Sequence, residues 1–436
     1  MSAEATSSED YGREGITHPT GSRGEKDRDT PLAHIWTRIR DELAYLQDLA
    51  SEEHPGEVIN PIYGAVFSRD TAFAAQVFAT EFRRTQEERW KERASAALGA
   101  LNRIDIYRGV DEPVWNRYGW HLKRGSLATT GMLLDAVWEA QRLLDMERKT
   151  PGDWLALSSY LASCRVAPGL FAHDAVQPRT SPPAVHNTTA IALYLVEYMA
   201  LKMDDSSRSV FRERQQAYVA LQRGQRPDGF WPYIFPGAAQ QIYFRLPSTA
   251  RLFLRELPFL GRMLHRDGDR SIFFGDIVHH CLVVYYLAKS LSLSGKIGPL
   301  RETLKRGWKW ITAQMRETPE EGFRLDFASE PVPKGPRYCN FRETTSYFLI
   351  LASLPLLSSL GVINQDDRAI AEEILIHIQN HLLEKEGTIP AIKPYEGPVE
   401  VLRYILPRVG ESVAWKGGCL SSLVLDRCKL SATLLR

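Results

Sequence analysis

Acidic side chains recur near predicted helix starts and in the turns that follow helices. They are Asp70, Asp174, Asp228, Asp276 and Glu343. Glycoside hydrolysis uses two carboxyl groups that face the scissile bond, one protonated and one ionised. An Asp at a helix start is also an ordinary N-cap, and Asp228 before Gly229 suits a turn. The sequence supplies enough carboxylates for a catalytic pair and does not decide which two would form it.

Histidines occur in the same segments, and they are His121, His173, His186, His279 and His280. Imidazole exchanges protons near neutral pH, which suits removal of the proton beside a uronate carboxylate. Asn, Tyr and Arg side chains can stabilise the charge that develops in such a step. A hydrogen-bonded structural role is an equally good interpretation of any single histidine. The predicted catalytic residues are His186, Asn187, Asp228, Tyr233, Tyr243, Asp276, His279, His280, Arg342 and Glu343.

Aromatic residues fill the segments between helices, and they include Trp115, Trp120, Phe230, Trp231, Tyr233, Phe235 and Trp415. Exposed rings could stack on sugars, enclosed rings could shelter a carbocation, and packing beneath long loops explains them equally well. The residues predicted to bind substrate are Arg69, Asp70, Trp120, His121, His173, Trp231 and Trp415.

A zinc site is an alternative for the segment that contains Asp276, His279, His280 and Cys281. Asp276 and His280 stand four residues apart and would share a helix face. Cys281 falls on another face, and zinc needs ligands that converge. We therefore predict no metal. The sequence also lacks the glycine-rich loops of nucleotide sites, so no cofactor is expected.

Composition narrows the class of protein. The 436 residues carry 54 Lys and Arg against 53 Asp and Glu, so no basic excess favours nucleic-acid binding. No window has the 18 or so apolar residues of a membrane span. Residues 1–30 are polar, and we expect a flexible tail without a secretory signal. Five cysteines without CxxC spacing suggest reduced thiols, and we predict a cytoplasmic protein.

From Pro31 onward, apolar residues recur at helical spacing, and the helices fall into pairs. The predicted pairs are 31–50 with 69–83, 87–101 with 126–146, 151–164 with 187–202, 207–223 with 276–291, 299–316 with 343–360, and 366–384 with 415–429. Strand signals are scarce, and the run 230–235 is expected between helices rather than in a ladder. We expect a single domain over 31–436.

Two internal repeats support the pairing. A turn glycine follows the first helix of the last four pairs, in PGLFAHD, DGFWPYI, EGFRLDF and EGTIPAI. The second helices begin with polar clusters, in SRDTAF, VHNTTAI, GDIVHHC and FRETTSY, and then become almost wholly apolar. An outer ring around a buried inner ring fits this alternation. All inner helices would then begin at one end of the ring, where the polar residues would converge.

This pattern resembles the (α/α)6 toroid enzymes. DGFWPY, followed by the inner-helix start GDIVHH, is similar to glycan-active members such as six-hairpin glycosidases, polysaccharide lyases and epimerases. The resemblance implies a glycan or uronate substrate, which would be a small molecule or an oligosaccharide. Terpene cyclases and protein prenyltransferases share the architecture and are the alternative, although the nearest acidic run, MDDSS, lacks DxDD spacing. An open helical solenoid and a catalytically silent binding scaffold are the remaining alternatives.

Overall fold

Two kinds of helix alternate along the chain. The computed structural model describes residues 31–60, 65–116, 119–146, 151–175, 183–203, 208–235, 246, 250, 277–295, 298–318, 322–324, 342–343, 345–364, 366–383 and 392–393. Helices that bury only one face are α1 (Pro31–Ala50), α3 (Glu88–Leu101), α5 (Pro151–Ser163), α7 (Arg208–Gly224), α9 (Arg301–Gln314) and α11 (Asp366–His377). Helices buried on nearly all sides are α2 (Ser68–Thr85), α4 (Leu127–Leu143), α6 (His186–Met203), α8 (Ile277–Ser294) and α10 (Thr345–Ser359).

The buried helices form an inner ring. Each packs against the next, in the order α2, α4, α6, α8 and α10. The one-sided helices surround them, and α1 contacts α11, so the first and last outer helices of the described chain meet. The fold is an (α/α)6 toroid, which confirms the predicted architecture. The predicted sixth inner helix (415–429) and the predicted tail (1–30) lie outside the described residues.

In the described chain, four short antiparallel hairpins connect outer helices to inner ones, and a fifth ladder, β9 with β10, joins the segment before α10 to the segment after α11. The strands are β1 (Ile59–Asn60), β2 (Ala65–Val66), β3 (Val110–Asn116), β4 (Gly119–Ser126), β5 (Arg165–Ala167), β6 (Leu170–Phe171), β7 (Arg316–Thr318), β8 (Gly322–Arg324), β9 (Arg342–Glu343) and β10 (Ile392–Lys393). The ladders join β1 with β2, β3 with β4, β5 with β6, β7 with β8, and β9 with β10. Sequence analysis predicted none of these ladders. The run 230–235 makes only an isolated bridge between Ile234 and Val185, as expected.

A repeated hydrogen bond ties each of these connections to the inner ring. The side chain of the fourth residue of an inner helix accepts a hydrogen bond from a backbone N–H in the connection that precedes that helix. The four pairs of donor and acceptor are Val58 with Thr71, Val110 with Thr130, Phe171 with Thr189, and Trp231 with His280, at 2.8–3.2 Å. We call these the wall links. The wall is the layer between the inner and the outer ring. These hydrogen bonds explain why polar residues lie at the start of inner helices that are otherwise mainly apolar, because a buried backbone N–H left unpaired in the wall would lower the stability of the fold.

The predicted turn glycines press against the next outer helix. Gly169 (φ +70°) and Gly229 (φ +96°) both adopt the left-handed conformation, as predicted. A methyl group at Gly229 would collide with the carbonyl oxygen of Arg306 on α9, and one at Gly169 would collide with the backbone of α7. These repeats therefore position neighbouring pairs of helices.

None of the helices in the described ranges is both long and apolar enough to cross a bilayer.

Candidate active site

The inner helices present a defined face to the ring axis near their first turn. In α6, His186 packs beside Gly224 of α7, and Thr189 makes a wall link. Asn187 lies about 100° around the helix from His186, on a different face. Tyr194, seven residues after Asn187 and on its face, contacts both α4 and α8. A face that touches both neighbouring inner helices points toward the axis, so the second helix position is axial.

Polar atoms without partners mark this axial face. The second residues of α2, α6 and α10 are Arg69, Asn187 and Ser346. Asn187 Oδ1 and Ser346 Oγ are buried and have no hydrogen-bond partner among the described residues. Buried polar atoms are nearly always paired with protein or with water, and each exception requires an explanation. These two atoms are therefore candidates to contact a bound molecule or water.

A carboxylate and a guanidinium lie together at the start of α2. Asp70 is fully buried, and its Oδ1 is 3.7 Å from Arg69 Nε. The Arg69 side chain keeps 26% of its surface exposed. This pair combines a buried acid with a cation that solvent still reaches, which suits an acidic catalyst beside a group that recognises carboxylates.

Two predicted catalytic residues from different repeats are in contact. The rings of Tyr233 and His279 are 4.3 Å apart between centroids and tilted by 58°. Tyr233 belongs to the connection before α8, and His279 is the third residue of α8. Both side chains are only partly buried. A phenol and an imidazole at this distance can exchange a proton with a bound molecule.

His173 belongs to the connection between α5 and α6, and it lies beside the start of α4 in a polar cluster. Its Nδ1 is 3.2 Å from Asp174 Oδ1 and 3.3 Å from Ser126 Oγ. The His173 carbonyl also accepts from the backbone N–H of Leu127, at 2.7 Å. The side chain is 17% exposed, so it is placed to contact a ligand as well as to hold the helix start.

His186 faces the wall between the rings. Its Nδ1 donates to the Pro232 carbonyl at 2.6 Å, and its ring stacks on Phe235 at 3.6 Å between centroids. The residue is fully buried. Burial lowers the pKa of His186 to about 3, against the Pro232 hydrogen bond, which acts to raise it, and the nearby His280 ring adds a smaller lowering effect. A ring with this pKa is uncharged at neutral pH and keeps only the Nδ1 proton that it donates to Pro232, so the geometry favours a structural tether over proton exchange.

His280 and Trp231 also lie in the wall. His280 Nδ1 accepts from the Trp231 N–H at 3.1 Å, and Nε2 donates to the Gly307 carbonyl at 3.0 Å. Because Nδ1 and Nε2 are both engaged with backbone groups, His280 has no free lone pair for zinc. Cys281 is buried too. Trp231 is 1% exposed and donates from Nε1 to Leu221, which is the packing role that was left open for it.

Asp228 fits the turn interpretation. Its Oδ1 accepts from the backbone N–H of Phe230 at 3.2 Å, and its Oδ2 pairs with Arg226 at 2.7 Å. The side chain is 42% exposed, beside the glycine that packs against α9. The structure therefore places Asp228 toward the outer ring, away from the axial face.

Several predicted site residues lie outside what the structure describes. Tyr243, Asp276 and Trp415 fall there entirely. Only the backbone is described for Trp120, His121, Arg342 and Glu343. Trp120 pairs with Trp115 across β3 and β4, and Glu343 pairs with Ile392 across β9 and β10. All of these assignments stay predictions.

Sequence analysis missed Ser346 and a second axial layer seven residues deeper in each helix. Its members are Gln76, Asp135, Tyr194, Tyr285 and Ser353, the ninth residues of α2, α4, α6, α8 and α10. Seven residues are close to two helical turns, so a polar residue at this spacing returns to the same face. That spacing is readable in the sequence once each helix start is known.

Comparisons with known proteins support the architecture. The structure of an unsaturated glucuronyl hydrolase specific for heparin has a TM-score of 0.59 at 12% identity, covering 93% of this chain and 98% of that chain. For unsaturated glucuronyl hydrolase from Bacillus sp. GL1 the TM-score is 0.55 at 12% identity, with coverages of 90% and 98%. For cellobiose 2-epimerase from Bacillus thermoamylovorans B4167 it is 0.56 at 10% identity, with coverages of 90% and 98%.

No protein-family profile and no curated protein matches the chain. At identities of 10–12%, the structural likeness shows the (α/α)6 toroid fold alone. The activity therefore has to be argued from the residues at the axial face.

Proposed function

We propose that this protein is a carbohydrate-active enzyme that acts on a glycan or uronate at the axial face. The observation that carries the proposal is a pair of buried polar atoms, Asn187 Oδ1 and Ser346 Oγ, which have no partner in the described part of the chain and lie where the inner helices begin. Sugars present many hydroxyl groups that would pair with such atoms. The names of the structural neighbours give their substrates as glucuronyl compounds, heparin and cellobiose, so this scaffold serves sugar chemistry elsewhere.

The residues at the axial end suit hydrolysis, elimination or epimerisation of a sugar. Asp70 supplies a carboxylate, and Arg69 beside it suits a uronate carboxylate. Tyr233 and His279 form a candidate pair for moving a proton. Hydrolysis also needs a second carboxyl group, and Asp276 and Glu343 are its candidates, on sequence grounds.

The isoprenoid alternative expects an apolar lining around a carbocation. The second and ninth positions of the described inner helices are polar in eight of ten cases, the exceptions being Ala128 and Val278. This polarity favours a sugar over a prenyl chain. We also propose a single catalytic domain over 31–436 and a cytoplasmic location, which the free thiols of Cys164 and Cys281 support.

Product analysis tests the proposed function. The protein is incubated with cellobiose, with an unsaturated glucuronyl disaccharide and with farnesyl diphosphate, and products are identified by mass spectrometry and NMR. Hydrolysis adds water, epimerisation preserves mass and inverts one carbon, and elimination leaves a new double bond. We expect conversion of a sugar. Conversion of farnesyl diphosphate, with both sugars untouched, would contradict the proposal.

The variant Asp70→Asn then tests the site. We expect turnover to fall by roughly 100-fold or more, as for loss of a general acid or base, with little change in melting temperature. The matched control is Glu213→Gln, since Glu213 is also a carboxylate paired with an arginine (Arg165, 3.0 Å), on the outer helix α7. Equal turnover in both variants would contradict the role of Asp70.

A further inference from the structure

The second axial layer contains an ion pair that spans the ring. Asp135 of α4 pairs with the Lys289 ammonium of α8. Tyr194 of α6 donates to Asp135 Oδ1 at 2.5 Å, and Lys289 Nζ donates to Tyr285 Oη at 3.2 Å. Lys289 Nζ also lies 4.9 Å from the ring centroid of Tyr194. We call Asp135, Tyr194, Tyr285 and Lys289 the axial cluster.

The position of the axial cluster follows from ring order. Helices α4 and α8 are not neighbours, because α6 lies between them in the inner ring. The outside of α6 is occupied by α7, so a contact between Asp135 and Lys289 passes through the interior of the ring. Asp135 is seven residues beyond the second position of its helix, which places it about 10 Å below the axial face at 1.5 Å per residue.

Stability alone gives a poor account of this ion pair. Replacing a buried ion pair with packed apolar side chains is often neutral or stabilising. Burial and the negative charge of Asp135 raise the pKa of Tyr194 well above its usual value, so its hydroxyl stays a donor to Asp135. The Lys289 side chain retains 20% exposure although Asp135 retains only 5%. Part of the Lys289 side chain therefore remains accessible.

A second polar atom supports a ligand at this depth. Thr80 is the thirteenth residue of α2, and Lys289 is the thirteenth residue of α8. The two residues therefore occupy equivalent positions on equivalent faces of their helices. Thr80 is 7% exposed, and its Oγ1 has no partner among the described residues. A buried hydroxyl of this kind is expected to be satisfied by water or by a bound polar group.

We propose that Lys289 and Asp135 form a binding subsite below the axial face, which we call the floor, for the hydroxyl groups of a neutral sugar ring, with Tyr194 as a positioning residue. The inference rests on the proposed function. Asp135 accepts from hydroxyls and Lys289 donates to them, and tyrosine rings flank both. The charges of the pair cancel, and Asp135 would repel a carboxylate at the floor. The uronate-binding role therefore belongs to Arg69 at the mouth.

The test compares two double variants in the full chain. Asp135→Asn/Lys289→Met removes both axial charges and so leaves no unpaired ion. Glu197→Gln/Arg214→Met removes a matched pair at 2.7 Å that joins α6 to the outer helix α7. Binding of cellobiose, glucose and glucuronate is measured by calorimetry, together with melting temperature.

We expect the axial variant to melt no lower than the control and to lose affinity for cellobiose or glucose by roughly tenfold or more, since hydrogen bonds to charged groups are strong. The control should keep its affinity within twofold. Unchanged affinity in the axial variant, or glucuronate binding that depends on Lys289, overturns the subsite alone. A wild-type protein that binds none of the three sugars overturns the subsite together with the proposed function.

Discussion

Acid stability tests whether His186 is a neutral tether in the wall. Its pKa falls from 6.5 to about 3 because the ring is fully buried. Between these values the unfolded chain binds a proton at His186 and the folded chain does not, so the free energy of unfolding falls as the pH falls. At about pH 4.5, about two units below 6.5, the loss is about 3 kcal/mol at roughly 1.4 kcal/mol per unit.

The perturbation is His186→Asn, because an asparagine amide can still donate to Pro232 and does not titrate in this range. Denaturant unfolding of both proteins at pH 7.5 and pH 4.5 gives the two free energies. The wild type should lose about 3 kcal/mol more than the variant over this interval. Every other titrating group is common to both proteins, so the difference isolates His186.

Thr189→Val is the control for this measurement. It breaks the wall link at the same helix start, but it removes no titratable group. Its stability should be lower than that of the wild type by a similar amount at both pH values. If the free energies of unfolding of the wild type and of His186→Asn fall by the same amount from pH 7.5 to pH 4.5, then the assignment of His186 as a buried neutral ring is refuted.

Substitutions at Gly229, Gly295 and Thr189 test the repeats that position the inner helices. Gly229→Ala should destabilise by roughly 3 kcal/mol or more, since it combines a left-handed backbone with a collision against Arg306. Gly295→Ala, also left-handed but with no atom nearby, should lose only roughly 1–2 kcal/mol, and chemical denaturation compares the two. Thr189→Val should lose roughly 1–3 kcal/mol by leaving the Phe171 N–H unpaired. Thr189→Ser should keep the hydrogen bond and so recover most of the stability that Thr189→Val loses. Equal losses of stability in the two variants would indicate that packing, and not the hydrogen bond, is responsible.

The inner ring could be predicted from the sequence because a buried helix has apolar residues on all of its sides. The segment of α8 from Cys281 to Ala288 shows this directly, and its predicted and observed starts differ by one residue. Most of the ladders escaped prediction because strands of two or three residues are too short to show alternation. That reason does not apply to β3 and β4, which have seven and eight residues; their segment was expected to be a loop, although Trp115 pairs with Trp120 across its turn.

The candidate site was predicted in composition but not in orientation. Polar residues were expected at the inner-helix starts, and the structure finds them there. Neighbouring residues nevertheless face different ways: His186 and His280 lie in the wall, whereas Asn187 and His279 do not. One residue corresponds to 100° of helix rotation. Helix starts are uncertain by one or two residues from sequence, so the facing of each side chain could not be resolved.

The wall links also determine what the axial face can do. Asn187 and Thr189 stand two residues apart in the first turn of α6, so a hydrogen bond that fixes Thr189 also fixes the rotation of Asn187. A substitution at Thr189 would therefore disturb ligand binding without touching the ligand. Loss of activity in a wall variant cannot establish a catalytic residue here. The distinguishing result is a change in activity at constant stability, which we expect from Asp70 at the axial end and not from the wall.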